Sequence, residues 1–442
     1  MFKKIILLFF ILIPLCLIAQ DLPFSVKNST KYSISGMVGY IKVDSVKYSQ
    51  LRLIQEFKIK KVGVGVDLDF LFDKNYHLRK SGWDQIKDYV DKIYYVSYAD
   101  IDNAVYLHLG GFPYKTIGNG LIMLNYSNML LYPDLWNPGL MVGVNPDWIV
   151  HPNFEIFTSN LYKNQIMAFN ASSQLMPDDA FPVVDKMVWG FTYVIDRNQY
   201  GNLKYVVPDS VSSEINSGTK RPAAIYGFNY TLPILSKDNA TFGHYAEFAH
   251  IADYGTGYIL PGFYSDFKFI KVNLEYRIYK KEFAPAFFDH SYERTRAFMI
   301  GDELVTKEQT LTNYNNSYGW YGKVQAIIGK RAKAMVAWQD MYGKDLKTGK
   351  SIWIRFWVDT QYKRLENFSF AYSKTNVEHM AITKISVPSA DISGSMTFRI
   401  SEKRWFVIGK YSENYNDQNN DGTINWLKET DRSLGLGVKY LF

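Results

Sequence analysis

The chain has 442 residues, of which 47% are hydrophobic, 21% charged and 17% aromatic, with a formal net charge of +7. That much apolar and aromatic content excludes a disordered chain, and 15 Pro with 30 Gly in no G-X-Y period exclude a collagen-like one. The basic residues are interleaved with 43 acidic ones in no long basic run, so no nucleic-acid partner is expected.

Lys3 and Lys4 precede an apolar run from Ile5 to Ala19, broken only by Pro14, and polar residues resume at Gln20 and Asp21. This is the pattern of a Sec signal peptide, and the run is short for a bilayer-spanning helix. Residues 1–19 are assigned to the signal and 20–442 to the exported domain. Cleavage follows Ala19, with Leu17 at the −3 site. A lipoprotein signal on Cys16 is disfavoured, because Leu15 stands where its processing wants a small residue. Removing Lys3 and Lys4 lowers the net charge from +7 to +5 and removes Cys16, the one cysteine. The exported chain then has no disulfide, thiolate metal site or Cys nucleophile.

Beyond residue 20 the hydrophobic period is two. Val62, Val64, Val66, Leu68, Phe70 and Phe72 share one face, opposite Gly63, Gly65, Asp67 and Asp69. Ile270, Val272, Leu274, Tyr276 and Ile278 alternate with Lys271, Asn273, Glu275 and Arg277. Ile352, Ile354, Phe356 and Val358 alternate with Trp353, Arg355, Trp357 and Asp359, and the stretch Ile392–Ile400 behaves alike. About twenty such segments can be marked, several of them weak, including 92–99, 104–112, 139–145 and 153–160. Long polar segments at 73–83, 197–219, 297–315 and 414–431 alternate with very short links such as Lys60–Lys61 and Gly329–Lys330. Short turns at one end and long loops at the other are the habit of a transmembrane barrel. Tyr94, Tyr95, Trp189, Tyr193, Tyr276, Tyr279, Trp353 and Trp405 lie near strand ends, where rings with a polar tip suit the lipid–water boundary.

The chain closes with Leu434, Leu436, Val438, Tyr440 and Phe442 on one face of its last ribbon. This resembles the C-terminal strand signal of Gram-negative outer-membrane β-barrel proteins, in which Leu436, Val438, Tyr440 and Phe442 form the membrane-insertion signal. The resemblance implies insertion by the barrel-assembly machinery and closure of strand 432–442 against strand 32–43. Stretches 118–131 and 283–296 also look like segments of outer-membrane proteins from Bacteroidetes-type bacteria, a likeness that transfers no activity. The expected fold is all-β: an antiparallel up-and-down transmembrane β-barrel of about 16–18 strands with long loops on one side. Its place is the outer membrane of a Gram-negative bacterium after Sec export, in contact with membrane lipid and lipopolysaccharide. Little chain precedes the first strand near residue 32, so no N-terminal plug domain is expected.

The leading functional expectation is a porin-like channel for passive diffusion of small hydrophilic solutes, with Lys271, Asn273, Glu275, Arg277, Arg355 and Asp359 lining the pore. Facing groups of opposite charge would set a transverse field, and the mixed signs imply weak ion selectivity. The alternative is a non-channel barrel for surface binding or for secretion and assembly. Segments 113–138 and 281–314 packed inside the lumen would favour it. The apolar stretch after Gly118-Asn119-Gly120 and the aromatic stretch Phe283–Arg296 both admit an inward fold, but ordinary surface loops are the expectation. Trp83, Ile86, Val90 and Ile93 are spaced as a short amphipathic helix with a supporting role.

Chemistry-bearing motifs are sparse. None of the G-x-S-x-G, H-E-x-x-H, G-x-G-x-x-G or Walker patterns occurs, and no enzyme is expected. His244 and His250 share a strand face that Glu247 does not, so the pair reads as polar lumen residues rather than metal ligands. No cofactor is called for, with one candidate cation site. Asp417, Asn419 and Asp421 followed by Gly422 resemble the first half of an EF-hand-like Ca2+ loop at 417–424. Lys428 stands where its bidentate acid belongs, and an Asn/Asp-rich hairpin loop is the competing reading.

Overall fold

A two-period ribbon that crosses hydrocarbon must have both of its backbone edges hydrogen-bonded, because lipid offers no partner. The computed structural model satisfies this with one closed 20-stranded antiparallel sheet. It describes residues 32–441 except 44–45, 131–136, 182, 207–219, 238, 301–302, 330, 345, 347–348, 363, 379, 381–386, 388–389, 401–404, 416–423 and 425–429. The signal segment 1–19, the Ca2+ candidates Asp417, Asn419 and Asp421, and Phe442 lie outside the described residues.

In chain order the first barrel strands are β1 (Tyr32–Val43), β2 (Val46–Ile59), β3 (Val62–Phe72), β4 (Ile93–Tyr98) and β5 (Val105–Gly110). A small hairpin, β6 (Lys115–Ile117) with β7 (Met123–Tyr126), leaves the wall before it resumes. The wall continues through β8 (Gly139–Val144), β9 (Asn153–Thr158), β10 (Ile166–Gln174) and β11 (Val188–Asp196). Next come β12 (Ala223–Lys237), β13 (Ala240–Ile251), β14 (Thr256–Phe267) and β15 (Ile270–Tyr279). A second hairpin, β16 (Ala297–Ile300) with β17 (Glu303–Thr306), again leaves the wall. The last strands are β18 (Ser317–Ile328), β19 (Ala332–Tyr342), β20 (Lys350–Tyr362) and β21 (Leu365–Val377). They are followed by β22 (Ala390–Arg399), β23 (Trp405–Tyr415) and β24 (Thr430–Leu441).

β24 closes on β1 from Ser33↔Leu441 to Val38↔Leu436, so no edge is left to aggregate. The barrel has 20 strands, not 16–18. Every segment marked in the sequence is a stave, including β4, β5, β8 and β9, which are six residues each. A ribbon that short carries few alternations, so its local signal is weak while ring closure still requires it. The long connections 73–92, 111–138, 197–222 and 280–316 leave one end of the barrel. Lys60–Lys61, 268–269 and 329–331 turn at the other. Among the described residues no helix is long and apolar enough to cross a membrane.

Register fixes which face is which. Phe157, Ala168, Val194, Ile225 and Ile251 are paired in sequence from β9 to β13 and are all buried on the inner side. Carried round the sheet, the same parity turns Asp67, Asp69, Lys271, Glu275 and Arg355 inward. It turns Leu68, Leu274, Phe356, Leu436 and Val438 outward. The outer face carries rings at successive levels. Trp189 meets Tyr230, Phe191 meets Phe228, and Tyr226 meets His250. His244 and His250 therefore belong to this outer aromatic face, not to the lumen. The His244 Nδ1 lies 3.0 Å from the Tyr230 hydroxyl, which gives its ring a polar partner in the belt. The reverse correction applies to four boundary candidates. Tyr95, Tyr279 and Trp353 face inward and Tyr94 packs on Met129, because strand parity rather than ring chemistry selects the face.

Candidate functional site

Strands β9 to β14 are apolar on both faces at their long-loop ends. Ala223 and Ile225, Ala249 and Ile251, and Ile259 point inward while Tyr226, Phe248 and Tyr258 point outward. An inward apolar surface cannot stay wet at no cost, and two connections cover it. The segment after β5 delivers Phe112, Ile117, Leu121, Ile122, Met123 and Tyr126. The segment after β15 delivers Phe283, Phe287, Phe288, Tyr292 and Leu311. All of these join one buried cluster with the wall. The two segments also hold each other: Leu124 N donates to Phe288 O at 3.1 Å, and Phe288 N donates to Ile122 O at 3.1 Å. Residues 112–126 and 283–296 are thus internal, contrary to the surface-loop expectation. Full burial of a ring such as Phe283, Phe287 or Phe288 stabilises by roughly 1.5–3 kcal/mol, more than an exposed loop could recover.

Polar residues lock the segments to the wall, most deeply at three points. Arg296, fully buried, donates to Asp196 at 3.0 Å, to Glu293 at 3.0 Å and to Gln165 at 3.1 Å, and also to the Asn198 carbonyl. Tyr292 donates to Asp196 at 2.9 Å, and Tyr126 and Asn202 donate to Glu293. Burial first, and then the facing carboxylates, push the Tyr126 and Tyr292 phenols well above their ordinary range, so both remain donors. The second lock is Glu247, whose carboxylate accepts the Asn119 backbone N–H at 3.1 Å under the turn at Gly118. Gly118 has φ +62°, and a Cβ there would lie 2.8 Å from Glu247 Oε1. Only glycine suits both demands. The third lock is Lys115, paired with Glu155 on β9, which also accepts from Tyr106 at 3.1 Å.

The sequence-predicted pore residues all face inward but lie on one wall, β15 and β20 with β18 and β19 between, and do not oppose one another across the lumen. Lys271 pairs with Asp266 at 2.5 Å. Asn273 donates to the Tyr245 hydroxyl at 3.4 Å. Glu275 accepts from Tyr245 and from Arg277, each at 2.6 Å. Arg277 reaches Gln339 at 2.8 Å and sits 3.9 Å over the Tyr321 ring. Arg355 lies 5.5 Å over Tyr114 of the first inward segment, and Tyr114 stacks on His290 of the second at 5.6 Å. Asp359 is nearer the short-turn end, its backbone N–H donating to Arg331 O at 2.6 Å. Lys323 faces inward beside Asn273. Among the described residues, neither Lys323 nor Arg355 shows a carboxylate partner, so this wall is net positive.

No protein-family profile matches the chain, and no curated protein matches it. Several solved barrels are similar to it. Wzi of Escherichia coli, described as a carbohydrate-binding outer-membrane barrel of group 1 capsule assembly, is 10% identical. That match covers 93% of this chain and 85% of Wzi, with a TM-score of 0.36. OprD of Pseudomonas aeruginosa is 8% identical over 93% of this chain and 95% of its own, with a TM-score of 0.34. OccK2 of the same organism, solved with glucuronate, is 9% identical over 92% and 94%, with a TM-score of 0.33. The solutes and sites of these proteins do not transfer at such identity.

Sequence reasoning did not pair Asp196 with Arg296, Gly118 with Glu247 or Tyr114 with His290. The available signal was the apolar inner face of β9 to β14, which a wet pore has no use for. Among the described residues no group of three or more His, Cys, Asp or Glu side chains is placed to hold a metal ion.

Proposed function

We propose that the protein is an outer-membrane channel, narrowed by two inward segments, that passes small hydrophilic solutes and prefers anions. The observation that carries this reading is the one-sidedness of the filling. The buried cluster draws its wall members from β9 to β15 and β19, whereas β21 to β23 present half-exposed Ser369, Ser393, Ser395 and Ser412 to the lumen. A lane of small hydroxylic side chains on the strands next to Arg355 suits hydrated solutes, and the positive wall favours negative ones. The same reading has the chain exported by the Sec route and inserted by the barrel-assembly machinery among lipopolysaccharide, with no catalysis. Planar-bilayer recording of the purified barrel tests it. Stepwise conductance with a reversal potential on the anion side is expected.

The second reading is a surface-binding or assembly barrel, and the internal packing of both segments favours it. A correctly folded barrel that stays electrically silent would overturn the channel and leave this reading, with the Tyr114–His290 face as its platform.

A further inference from the structure

The connection between β3 and β4 is built the wrong way round for a loop in water. β4 pairs with β3 only over Val62–Val66, and the last link on that edge is Asp67 N to Lys92 O at 2.7 Å. Above this level β3 is joined on that side by Leu78 and by Arg79, whose N–H donates to Leu71 O at 2.7 Å. The chain then places Trp83 on the outer face of the barrel, stacked on lipid-facing Phe70 at 4.7 Å and 8°. Trp83 Nε1 donates to Asp69 O at 3.1 Å, and the Lys92 ammonium lies 4.4 Å over the Trp83 ring.

The one-turn helix Ile86–Val90 follows, and Asp88 within it and Asp91 just after it both accept hydrogen bonds from the protein. Asp88 accepts the backbone N–H groups of Asp84 and Gln85 at 3.1 and 3.0 Å, and Asp91 accepts from Tyr162 at 3.3 Å. Its apolar side chains are left outside: Ile86 is 86% exposed, Tyr89 59% and Val90 46%. Water is a poor solvent for such a face, but here it continues the lipid-facing wall through the Phe70–Trp83 stack.

We propose that the Trp83–Ile93 segment is an interfacial anchor. Ile86, Tyr89 and Val90 lie in the headgroup–acyl boundary of the leaflet at the long-loop end, completing the outer wall where β4 is too short to reach. Apolar helices at this depth are held by buried apolar area, with Trp and Lys at the polar level. The occupant is lipid, and the inference holds whether or not the barrel conducts.

The test uses the full-length barrel on a Cys16→Ser background, reconstituted in phospholipid vesicles, with a nitroxide label on Ile86→Cys, Val90→Cys or Asn75→Cys. Asn75 is an exposed polar position of the same connection. The expected result is an oxygen-to-nickel-chelate accessibility ratio at 86 and 90 several times that at 75. Equal ratios at the three sites place the helix in water and overturn the proposal. Shielding of 86 and 90 from both reagents also overturns it, because another protein surface would then cover the helix. Each variant is exposed on the surface, and heat-modifiable gel migration verifies that it folds.

Discussion

Arg296 and Asp196 are one hundred residues apart in the chain and 3.0 Å apart in the barrel, with side chains 1% and 0% exposed. One comes from an inward segment and the other from the end of β11, so this pair decides that a connection becomes part of the interior. Glu293, Tyr292, Tyr126, Gln165 and Asn202 complete the hydrogen bonding around it. Both terminal nitrogens of the guanidinium are engaged, which offsets much of what burying its charge costs.

Replacing Arg296 by Met leaves Asp196 and Glu293 buried without their cation, a loss of about 3–5 kcal/mol to the docked segment. The wall keeps its hydrogen bonds. Limited trypsin digestion of the reconstituted barrel should therefore cut faster within 281–314 while the heat-modifiable barrel band persists. Unchanged cleavage would show that apolar packing alone holds the segment.

Gly118→Val collides with Glu247 Oε1 and demands a left-handed backbone from a β-branched residue, so the 115–126 hairpin should undock. Glu247→Gln keeps an acceptor oxygen for the Asn119 N–H and should weaken docking much less. Single-channel recording should show larger or noisier steps for Gly118→Val than for Glu247→Gln. The opposite order would contradict the latch.

Arg355→Ala combined with Lys323→Ala removes the two wall cations that lack a carboxylate partner among the described residues. Under a salt gradient, the reversal potential should move toward zero from the anion-selective side. Lys271→Ala should matter less, since its charge is already matched by Asp266.

Leu274 and Asn273 are adjacent on β15 but face lipid and lumen respectively. Leu274→Arg should destabilise folding into vesicles by roughly 2–4 kcal/mol if it sits near mid-membrane, and Asn273→Arg by much less. Urea titration of folding distinguishes the two, and equal losses would mean the assigned parity is wrong.

The alternation in Val62–Phe72, Ile270–Ile278 and Ile352–Val358 determined the barrel and its lipid-facing side, because side-chain parity along a strand is a local property. The long and short connections were likewise readable, and so was the closing pair of ribbons at 32–43 and 432–442. Only the tertiary structure decided how many weak ribbons counted, since six-residue strands are fixed by their neighbours. It alone decided the interior as well. Arg296 finding Asp196, Gly118 seating on Glu247 and Phe287 filling the lumen are contacts between distant segments. Local spacing carries no information about which distant surfaces meet; complementary apolar area and charge, brought together by ring closure, supply it.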